Sequence, residues 1–254
     1  YAAKNIVRQL TNVQTKNAAG TKIAEITSTY DSTALTSVTG VTHHDDSNFG
    51  SGFSLRGNAT VTQNWNGAGY LATNFGYDTT GQVLNTTDPK GNVTQASYAN
   101  NFYTDNGASP PAATSPAPPV TNAYITQLTM PVSGTASYGY FYGSGKNALT
   151  TDQNARTTYY HYWDSLDRPT KKDLPGGGWV QNTFTTATHI VHNAALPSGT
   201  FQDQHDNDSL GRPDMGSLND PEGNTFGDTN YDPSGRILST TNPYRSTSEP
   251  TYGT

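Results

Sequence analysis

The 254-residue chain is long enough for one large domain or two smaller ones, and with 32% hydrophobic residues, 25 Gly and 16 Tyr it is rich in turn and strand formers. We therefore predict an all-β chain of many short strands, because Gly, Asn and Pro interrupt helices while Thr and aromatic residues favour pleated surfaces. A net charge of −6 argues against nucleic acid or an anionic membrane as a partner, no apolar run is long enough for a membrane span, and the absence of Cys excludes disulfides and thiolate metal sites.

A four-residue frame, Asp or Asn followed by two variable residues and Gly, recurs along the chain. Within runs the copies are nine to twelve residues apart, which is the length of one strand and one turn. The copies begin, in chain order, at Asn17, Asn66, Asp78, Asp88, Asp164, Asp173, Asp208, Asp220 and Asp232, with degenerate copies at Asp152 and Asn242.

This frame has the properties of a hairpin turn. The first side chain can accept backbone hydrogen bonds as an Asx-turn, and Gly at the fourth position can adopt the left-handed conformation that closes a hairpin with a bulge. A non-Gly residue there costs about 1 kcal/mol or somewhat more, so Asp167 is a mild exception, and Ala155 and Arg245 predict altered turns. We predict structural turn residues at Asp78, Gly81, Asp88, Gly91, Asp208, Gly211, Asp220, Gly223, Asp232 and Gly235.

Strand periodicity lies between the turns. Residues 156–163 place aromatic side chains on both faces of a predicted strand, and residues 92–98 alternate more weakly. Residues 109–120 contain five prolines and predict an exposed loop, either an insertion between repeats or a hinge between repeat blocks. We predict three segments: an N-terminal β repeat block at 1–98, a Pro-rich insertion with a connecting strand at 99–137, and a C-terminal repeat block at 138–254.

Two short runs carry side chains that can bind metals or transfer protons. The first run is His43, His44, Asp45 and Asp46. Adjacent residues of a strand point to opposite faces, so a polar loop is favoured there over a metal or catalytic site. The second run is Asp203, His205, Asp206 and Asp208. It is similar to a calcium loop but lacks the spacing and closing Glu of an EF-hand, and its last Asp already belongs to a turn.

The tyrosines have two interpretations. Packing across the sheet with the hydroxyl at the surface is favoured, and stacking of exposed rings on sugars is the alternative. The sequence contains no nucleophile elbow, zinc-protease helix or phosphate loop. We therefore predict no enzyme activity, no metal site and no cofactor.

The turns occur in a longer pattern that resembles a known repeat family. Tyr-Asp-x-x-Gly-Arg, followed about ten residues later by Asp-Pro-x-Gly-Asn, is similar to the YD or RHS repeat. YDPSGRILSTTNP from Tyr231 shows the first half in full, and DSLGRP from Asp208 with NDPEGNTF from Asn219 supplies both halves without the leading Tyr. YDTTGQVLNTTDPKGN from Tyr77 carries both halves, with Gln82 where the family usually has Arg.

The resemblance covers most of the chain from about Tyr30 onward and includes a divergent copy from Tyr162. It implies a YD/RHS-repeat β-hairpin meander that forms a curved or spiral sheet and, in large members, a shell enclosing a toxin or other cargo. The chain is too short to close such a shell and has no start methionine, so we expect a piece of a longer protein.

From the resemblance we predict a structural scaffold segment of a secreted or cell-surface bacterial protein, part of a shell around toxin or other cargo. Two alternatives stay open: a subunit of an extracellular filament or adhesin assembled through strand edges, and a carbohydrate-binding module. The predicted partners are flanking repeats of the same parent chain or identical subunits, with enclosed toxin cargo or surface glycans as further partners.

Overall fold

The computed structural model describes residue 1 and residues 6–196, 199–220 and 223–245, and the regular secondary structure of these residues is almost entirely β-strand. This part of the chain contains nineteen strands and one four-residue helix, α1 (Asp46–Phe49), which is far too short to cross a membrane. The predicted all-β hairpin meander is therefore confirmed. The chain forms two compact units: unit 1 comprises residues 1–103 and 113–155, and unit 2 comprises residues 104–112 and 156–254.

Unit 1 contains a nine-strand antiparallel sheet with the order β1-β2-β3-β4-β5-β6-β9-β10-β11. The bounds are β1 (Asn12–Lys16), β2 (Lys22–Tyr30), β3 (Ala59–Trp65), β4 (Tyr70–Tyr77), β5 (Val83–Thr87), β6 (Val93–Ser97), β9 (Gln127–Thr129), β10 (Thr135–Phe141) and β11 (Asn147–Thr151). The strand predicted at residues 92–98 is thus β6.

The Pro-rich segment is an excursion between two neighbouring strands. β6 pairs directly with β9, with Gln95 opposite Thr129 and Ser97 opposite Gln127, so residues 98–126 leave the sheet and return to its next position. This excursion contains β7 (Phe102–Thr104) and the two-residue β8 (Ala112–Ala113). The start of β7 pairs in parallel with the end of β10, along the same edge of β10 that pairs with β9. The three predicted repeat blocks stay a prediction.

A small apolar core lies in unit 1. Its buried hydrophobic side chains are Val41, Tyr98, Phe141, Ala148 and Leu149. Beside it, four aromatic rings pack together, with Tyr124 stacked on Tyr140 at a centroid distance of 4.6 Å and Phe102 edge-on to Tyr142 at 5.2 Å. These rings hold the excursion against β10, since Tyr124 and Phe102 belong to the excursion.

Unit 2 is a consecutive antiparallel meander without such a core. Its strands are β12 (Thr157–His161), β13 (Lys171–Asp173), β14 (Trp179–Phe184), β15 (His189–Leu196), β16 (Gly199–Asn207), β17 (Pro213–Asp220), β18 (Gly223–Tyr231) and β19 (Ile237–Thr240). The strand predicted at residues 156–163 is β12. Among the residues of this unit that the structure describes, Pro111 is the one buried apolar side chain.

One turn of unit 1 is buried and fastens two other segments. Asp78 and Thr79 are both 0% exposed. The amide of Asn122, at the end of the excursion, donates to Asp78 Oδ2 at 2.8 Å. The hydroxyl of Thr79 donates to the carbonyl of Val38 at 2.9 Å and accepts from the N–H of Val38 at 3.0 Å. The loop before β3 and the excursion therefore both dock on this turn through polar contacts.

The Arg56 guanidinium completes this docking. It donates to the carbonyl oxygens of Thr79 at 2.7 Å, Phe53 at 2.8 Å and Gly50 at 3.1 Å, and it also contacts the carbonyl of Phe49. One side chain thus binds carbonyl groups of α1, of the loop after it and of the Asp78 turn, and all four lie outside the strands.

Replacing Asn122 with Ala removes the donor to the buried Asp78 carboxylate. Hydrogen bonds to charged groups contribute roughly 1.5 to 3 kcal/mol, so we expect Asn122→Ala to lower the free energy of unfolding by about that amount. Urea unfolding followed by circular dichroism measures it. The control is Asn154→Ala, which removes an exposed amide of the same unit that makes no side-chain hydrogen bond to the described residues, and it should leave the midpoint within error. Equal midpoints for the two variants would contradict the role given to Asn122.

Candidate functional site

The predicted turns share one hydrogen-bonding pattern, which is seen in full at Asp208. Gly211 N donates to the carbonyl of Asp208 at 2.9 Å, and Asp208 N donates to the carbonyl of Arg212 at 2.8 Å. The Asp208 Oδ1 atom accepts from Leu210 N at 2.9 Å and from Arg212 N at 3.0 Å. The first side chain thus satisfies two backbone donors inside the turn, as an Asx-turn does.

The same pattern occurs at the turns that begin at Asp78, Asp88 and Asp232. Glycine occupies the left-handed region at the fourth position of each, with φ of 92°, 86° and 82° at Gly81, Gly91 and Gly235 and of 78° at Gly211. At the turn predicted from Asp220, Gly223 has φ 115° and pairs with Asp220, while the two intervening residues lie outside the described residues. The contribution of these residues to stability stays a prediction.

A fifth position also belongs to the module. The Asn92 amide donates to Asp88 Oδ2 at 2.8 Å, and Arg212 Nε and Arg236 Nε donate to the Oδ2 atoms of Asp208 and Asp232 at 2.6 and 2.8 Å. Arg168 binds Asp164 through two nitrogens in the same way. The frame of four residues did not include this position, although the Gly-Arg pair of the repeat pattern marks it.

Tyrosines next to the turns donate across the sheet. The hydroxyl of Tyr77, at the end of β4, donates to the carbonyl of Ala59 at the start of β3, at 3.0 Å. Three further pairs repeat this arrangement at 2.9 to 3.1 Å: Tyr30 with Leu10, Tyr98 with Val83, and Tyr231 with Pro213. Burial raises the pKa of Tyr77 and Tyr98. These bonds support the packing interpretation of the tyrosines.

Arg212 links the turn between β16 and β17 to the turn between β18 and β19. Its guanidinium, which binds Asp208, also lies over the Tyr231 ring at 4.1 Å from the ring centroid, and Tyr231 directly precedes Asp232. A cation above an aromatic face is attracted by the ring quadrupole. One side chain therefore connects the turn of the β16–β17 hairpin with the residue that precedes the turn of the β18–β19 hairpin.

Several copies of the frame differ from the prediction. Asp173 does not open a turn: Leu174 N bonds the carbonyl of Gly178 at 2.7 Å, so the turn is displaced by one residue, because the Asp173 carboxylate binds Lys171 and His161 instead. At Asn66, the left-handed residue is Gly67 (φ 99°) and not the fourth.

The backbone conformation shows the outcome for the degenerate copies at Asp152 and Asn242 and for Asp167. The altered turn predicted from Ala155 was wrong, because Ala155 takes the left-handed conformation (φ 58°) and bonds the carbonyl of Asp152 at 3.0 Å. Asp167 likewise has φ 56°. Around Asn242, the described residues form no turn, and Tyr244 bridges Phe226.

The run from His43 to Asp46 forms a loop that leads into α1. Asp45 caps the helix by accepting from the N–H groups of Ser47 and Asn48 at 3.2 and 3.1 Å. His44 lies between Asp46 Oδ1, at 2.7 Å, and the carbonyl oxygen of Thr79, at 3.1 Å. Hydrogen bonds from Asn48 lower the pKa of Asp45. The acidic and imidazole groups are thus used in local structure, as the polar-loop interpretation predicts.

The run from Asp203 to Asp208 does not form a calcium loop. Asp203 and His205 lie on one face of β16, where His205 Nε2 is 2.6 Å from Asp203 Oδ2. Asp206 points to the other face and lies 2.5 Å from His189 Nδ1, while Asp208 closes its turn. Alternation along the strand separates the oxygens that a calcium ion would need on one side.

A buried histidine and an open cleft lie close together in unit 2. The His161 ring is 3% exposed and lies between two carboxylates, with Nε2 3.0 Å from Asp173 Oδ2 and Nδ1 3.5 Å from Asp105 Oδ1. His161 also lines a cleft of about 400 Å³, beside Trp163 and Phe184. Trp163 stands where other copies have the leading Tyr and is 76% exposed. An exposed ring at a cleft is suited to stacking on a sugar, and carbohydrate binding stays a prediction.

Comparison with known proteins gives a likeness in structure alone. No protein-family model matches the chain, and no curated protein matches it. Three similar crystal structures are TcdB2-TccC3 without its hypervariable C-terminal region, the TcdB2-TccC3-Cdc42 structure and TcdB2-TccC3. They share 14, 10 and 12% identity over 90, 90 and 92% of this chain, with TM-scores of 0.48, 0.38 and 0.33. The chain spans 11 to 15% of the length of those chains.

The left-handed glycines give a direct test of the turns. A Cβ atom on Gly91 would meet nothing within 4 Å, so Gly91→Val introduces backbone strain without a steric clash. We expect a loss of roughly 1 to 2 kcal/mol in the free energy of unfolding, measured by thermal unfolding. Gly143→Val is the matched control, since this turn glycine of the same unit also faces open space but is outside the left-handed region. A control that loses as much stability as Gly91→Val would show that the strain is not the cause.

The turn carboxylates predict how stability depends on pH. Hydrogen bonds from Asn92, Arg168 and Arg212 hold the pKa values of Asp88, Asp164 and Asp208 below the usual range. Because the folded values lie below the unfolded value of about 3.9, the unfolded chain binds more protons in acid, and the stabilisation is present above that pH and lost below it. We expect the contribution of these turns to the melting temperature to be constant from pH 7 to 5 and to fall below about pH 4.

A comparison of variants separates the effect of the turn aspartates on stability in acid from the effect of net charge. Asp88→Asn with Asp208→Asn keeps the amide oxygen as an acceptor but removes two titrating groups, so the fall of melting temperature below about pH 4 should become shallower. Asp214→Asn removes one carboxylate at an exposed position outside the turns and should change the slope less than either Asp88→Asn or Asp208→Asn alone. An unchanged slope in the double variant would exclude the turn aspartates as the source.

Proposed function

We propose that the chain is a scaffold segment of a secreted or cell-surface RHS-type repeat protein, and that its sheet forms part of a shell around toxin or other cargo. The observation that carries this proposal is the construction of unit 2. Eight strands follow one another, the turns at Asp164, Asp208 and Asp232 are closed by local side chains, and Pro111 is the one buried apolar side chain among the described residues of the unit. Local turn interactions define this meander, and within the described residues no second layer packs on its faces.

The solvent-accessible area of the chain supports the proposal that a partner covers part of its surface. The chain exposes 15616 Å², whereas a folded monomer of 27.2 kDa is expected to expose about 11,000 Å². Large apolar side chains are among the exposed residues of unit 2, including Phe201 at 45%, Ile237 at 64% and Leu238 at 71%. A sheet normally buries at least one face, and a repeat module gains that burial from its neighbours. The neighbours that fit are flanking repeats of the same parent chain and the cargo they enclose.

A second candidate function is a subunit of a filament or adhesin joined at strand edges. Among the described residues, β19 is paired with β18 alone, and both of its apolar residues, Ile237 and Leu238, are exposed. An unpaired edge of this kind can add a strand from another chain. This alternative requires identical subunits in place of flanking repeats.

Electron microscopy of the full-length protein from its native source distinguishes these functions. Closed hollow particles are expected for the shell, and filaments that lengthen with protein concentration are expected for the edge-joined subunit. Small separate particles with neither form would contradict both. The experiment needs no knowledge of the cargo, because the form of the assembly is the readout.

Amide hydrogen exchange tests whether unit 2 lacks packing partners in the isolated chain. We expect β16 of unit 2 to exchange at least roughly tenfold faster than β11 of unit 1, since β11 carries the buried Ala148 and Leu149 while unit 2 has no apolar core among its described residues. In the full-length protein, β16 should become protected while β11 changes little. Equal protection of the two strands in the isolated chain would show that unit 2 needs no cover.

A further inference from the structure

Three ligand-type side chains meet on one face of unit 2. His192 of β15 lies directly opposite Asp203 of β16, and His205 lies two residues further along β16 on the same face. A nitrogen of each imidazole and a carboxylate oxygen of Asp203 all lie within 4.8 Å of one another. The rings of His192 and His205 are in edge contact, with centroids 5.3 Å apart. The set consists of two imidazoles and one carboxylate that share one small volume.

A hydrogen bond to Asn182 orients the His192 imidazole. Its Nδ1 atom is 2.6 Å from Asn182 Oδ1, and an amide oxygen only accepts, so Nδ1 carries the proton. The Asn182 amide is fixed in turn, because its Nδ2 group donates to the carbonyl of Pro169 at 2.9 Å. The neutral His192 ring therefore presents an unprotonated Nε2. A hydrogen bond from the second ring nitrogen is the usual support of a histidine that binds a metal.

The surroundings leave room for an ion. The residue paired with His205 on β17 is Gly216, and its position would place a Cβ atom no closer than 3.9 Å to His205 Nδ1. Asp203 and His205 are 22% and 54% exposed, so the set is open to solvent on one side. His205 Nε2 is hydrogen-bonded to Asp203 Oδ2 at 2.6 Å, and a cation would replace the proton of this bond as the two side chains move apart.

We propose that His192, Asp203 and His205 form a binding site for a divalent transition metal of the zinc class. Two imidazole nitrogens and one carboxylate oxygen are a recognised three-ligand set for such ions, with a further position open to water or to another ligand. Ca²⁺ and Mg²⁺ prefer sites made of oxygen alone, so this site discriminates against them. The proposal rests on these side chains and does not depend on the scaffold function.

The same hairpin provides a matched control on its opposite face. His189 and Asp206 also pair across β15 and β16, with His189 Nδ1 2.5 Å from Asp206 Oδ1. The described residues supply no third His, Asp or Glu to this pair that completes a metal-binding group. His189→Ala thus removes an imidazole from the same strands without altering the proposed site.

Isothermal titration of the untagged chain with ZnCl₂ tests the site. We expect saturable binding of one ion, at least a tenfold loss of affinity in His192→Ala and in Asp203→Asn, and unchanged affinity in His189→Ala. Titration with CaCl₂ should give no binding. Circular dichroism of each variant confirms that its strands are intact, and Asp203→Asn keeps the shape of the side chain in case His192→Ala unfolds.

Asn182 provides a test of the supporting hydrogen bond. It is a positioning residue, so Asn182→Ala should weaken Zn²⁺ binding about tenfold, while Asn182→Asp keeps an acceptor for His192 Nδ1 and should retain binding. A purely structural role would not separate these two variants in their zinc affinity. Absence of saturable Zn²⁺ binding, or equal affinity in the wild-type chain and in Asp203→Asn, overturns the proposal.

Discussion

The structure depends on one local interaction, in which a turn aspartate uses a single carboxylate oxygen to accept two backbone N–H groups while a left-handed glycine reverses the chain. At Asp88 these donors are Lys90 N and Asn92 N, and Gly91 supplies the reversal at φ 86°. All partners lie within five residues, so the turn can form before any distant contact does. Each hairpin register follows from where the turn is placed.

The surroundings of this turn differ between the two units. In unit 1, the turn at Asp78 is also a docking point for other segments, and a small apolar core lies beside the sheet. In unit 2, Arg212 binds the Asp208 carboxylate and also contacts Tyr231, beside the turn between β18 and β19. Polar and aromatic contacts between neighbouring repeats replace a core there, which fits a module that gains its apolar burial from outside the chain.

The sequence predicted the turns where local chemistry decides them and was wrong where a distant group competes. Asp173 has the right frame, but His161 and Lys171 take its carboxylate and move the turn by one residue. Ala155 has the wrong residue type for a left-handed position, yet its turn keeps the usual backbone. A strain of about 1 kcal/mol is small beside the pairing of two strands, so the strands decide the conformation at Ala155.

The sequence by itself determined the all-β class, the positions of most hairpin turns and the Pro-rich break, because these follow from hydrogen bonds and backbone preferences within a few residues. Only the tertiary structure decided that Asn122 reaches Asp78, and that His192 joins Asp203 and His205 on one face. Those meetings depend on the register between strands and on the path of a 29-residue excursion between β6 and β9. No local pattern encodes such distances, since the groups that meet are fixed by pairing across the sheet and not by their spacing along the chain.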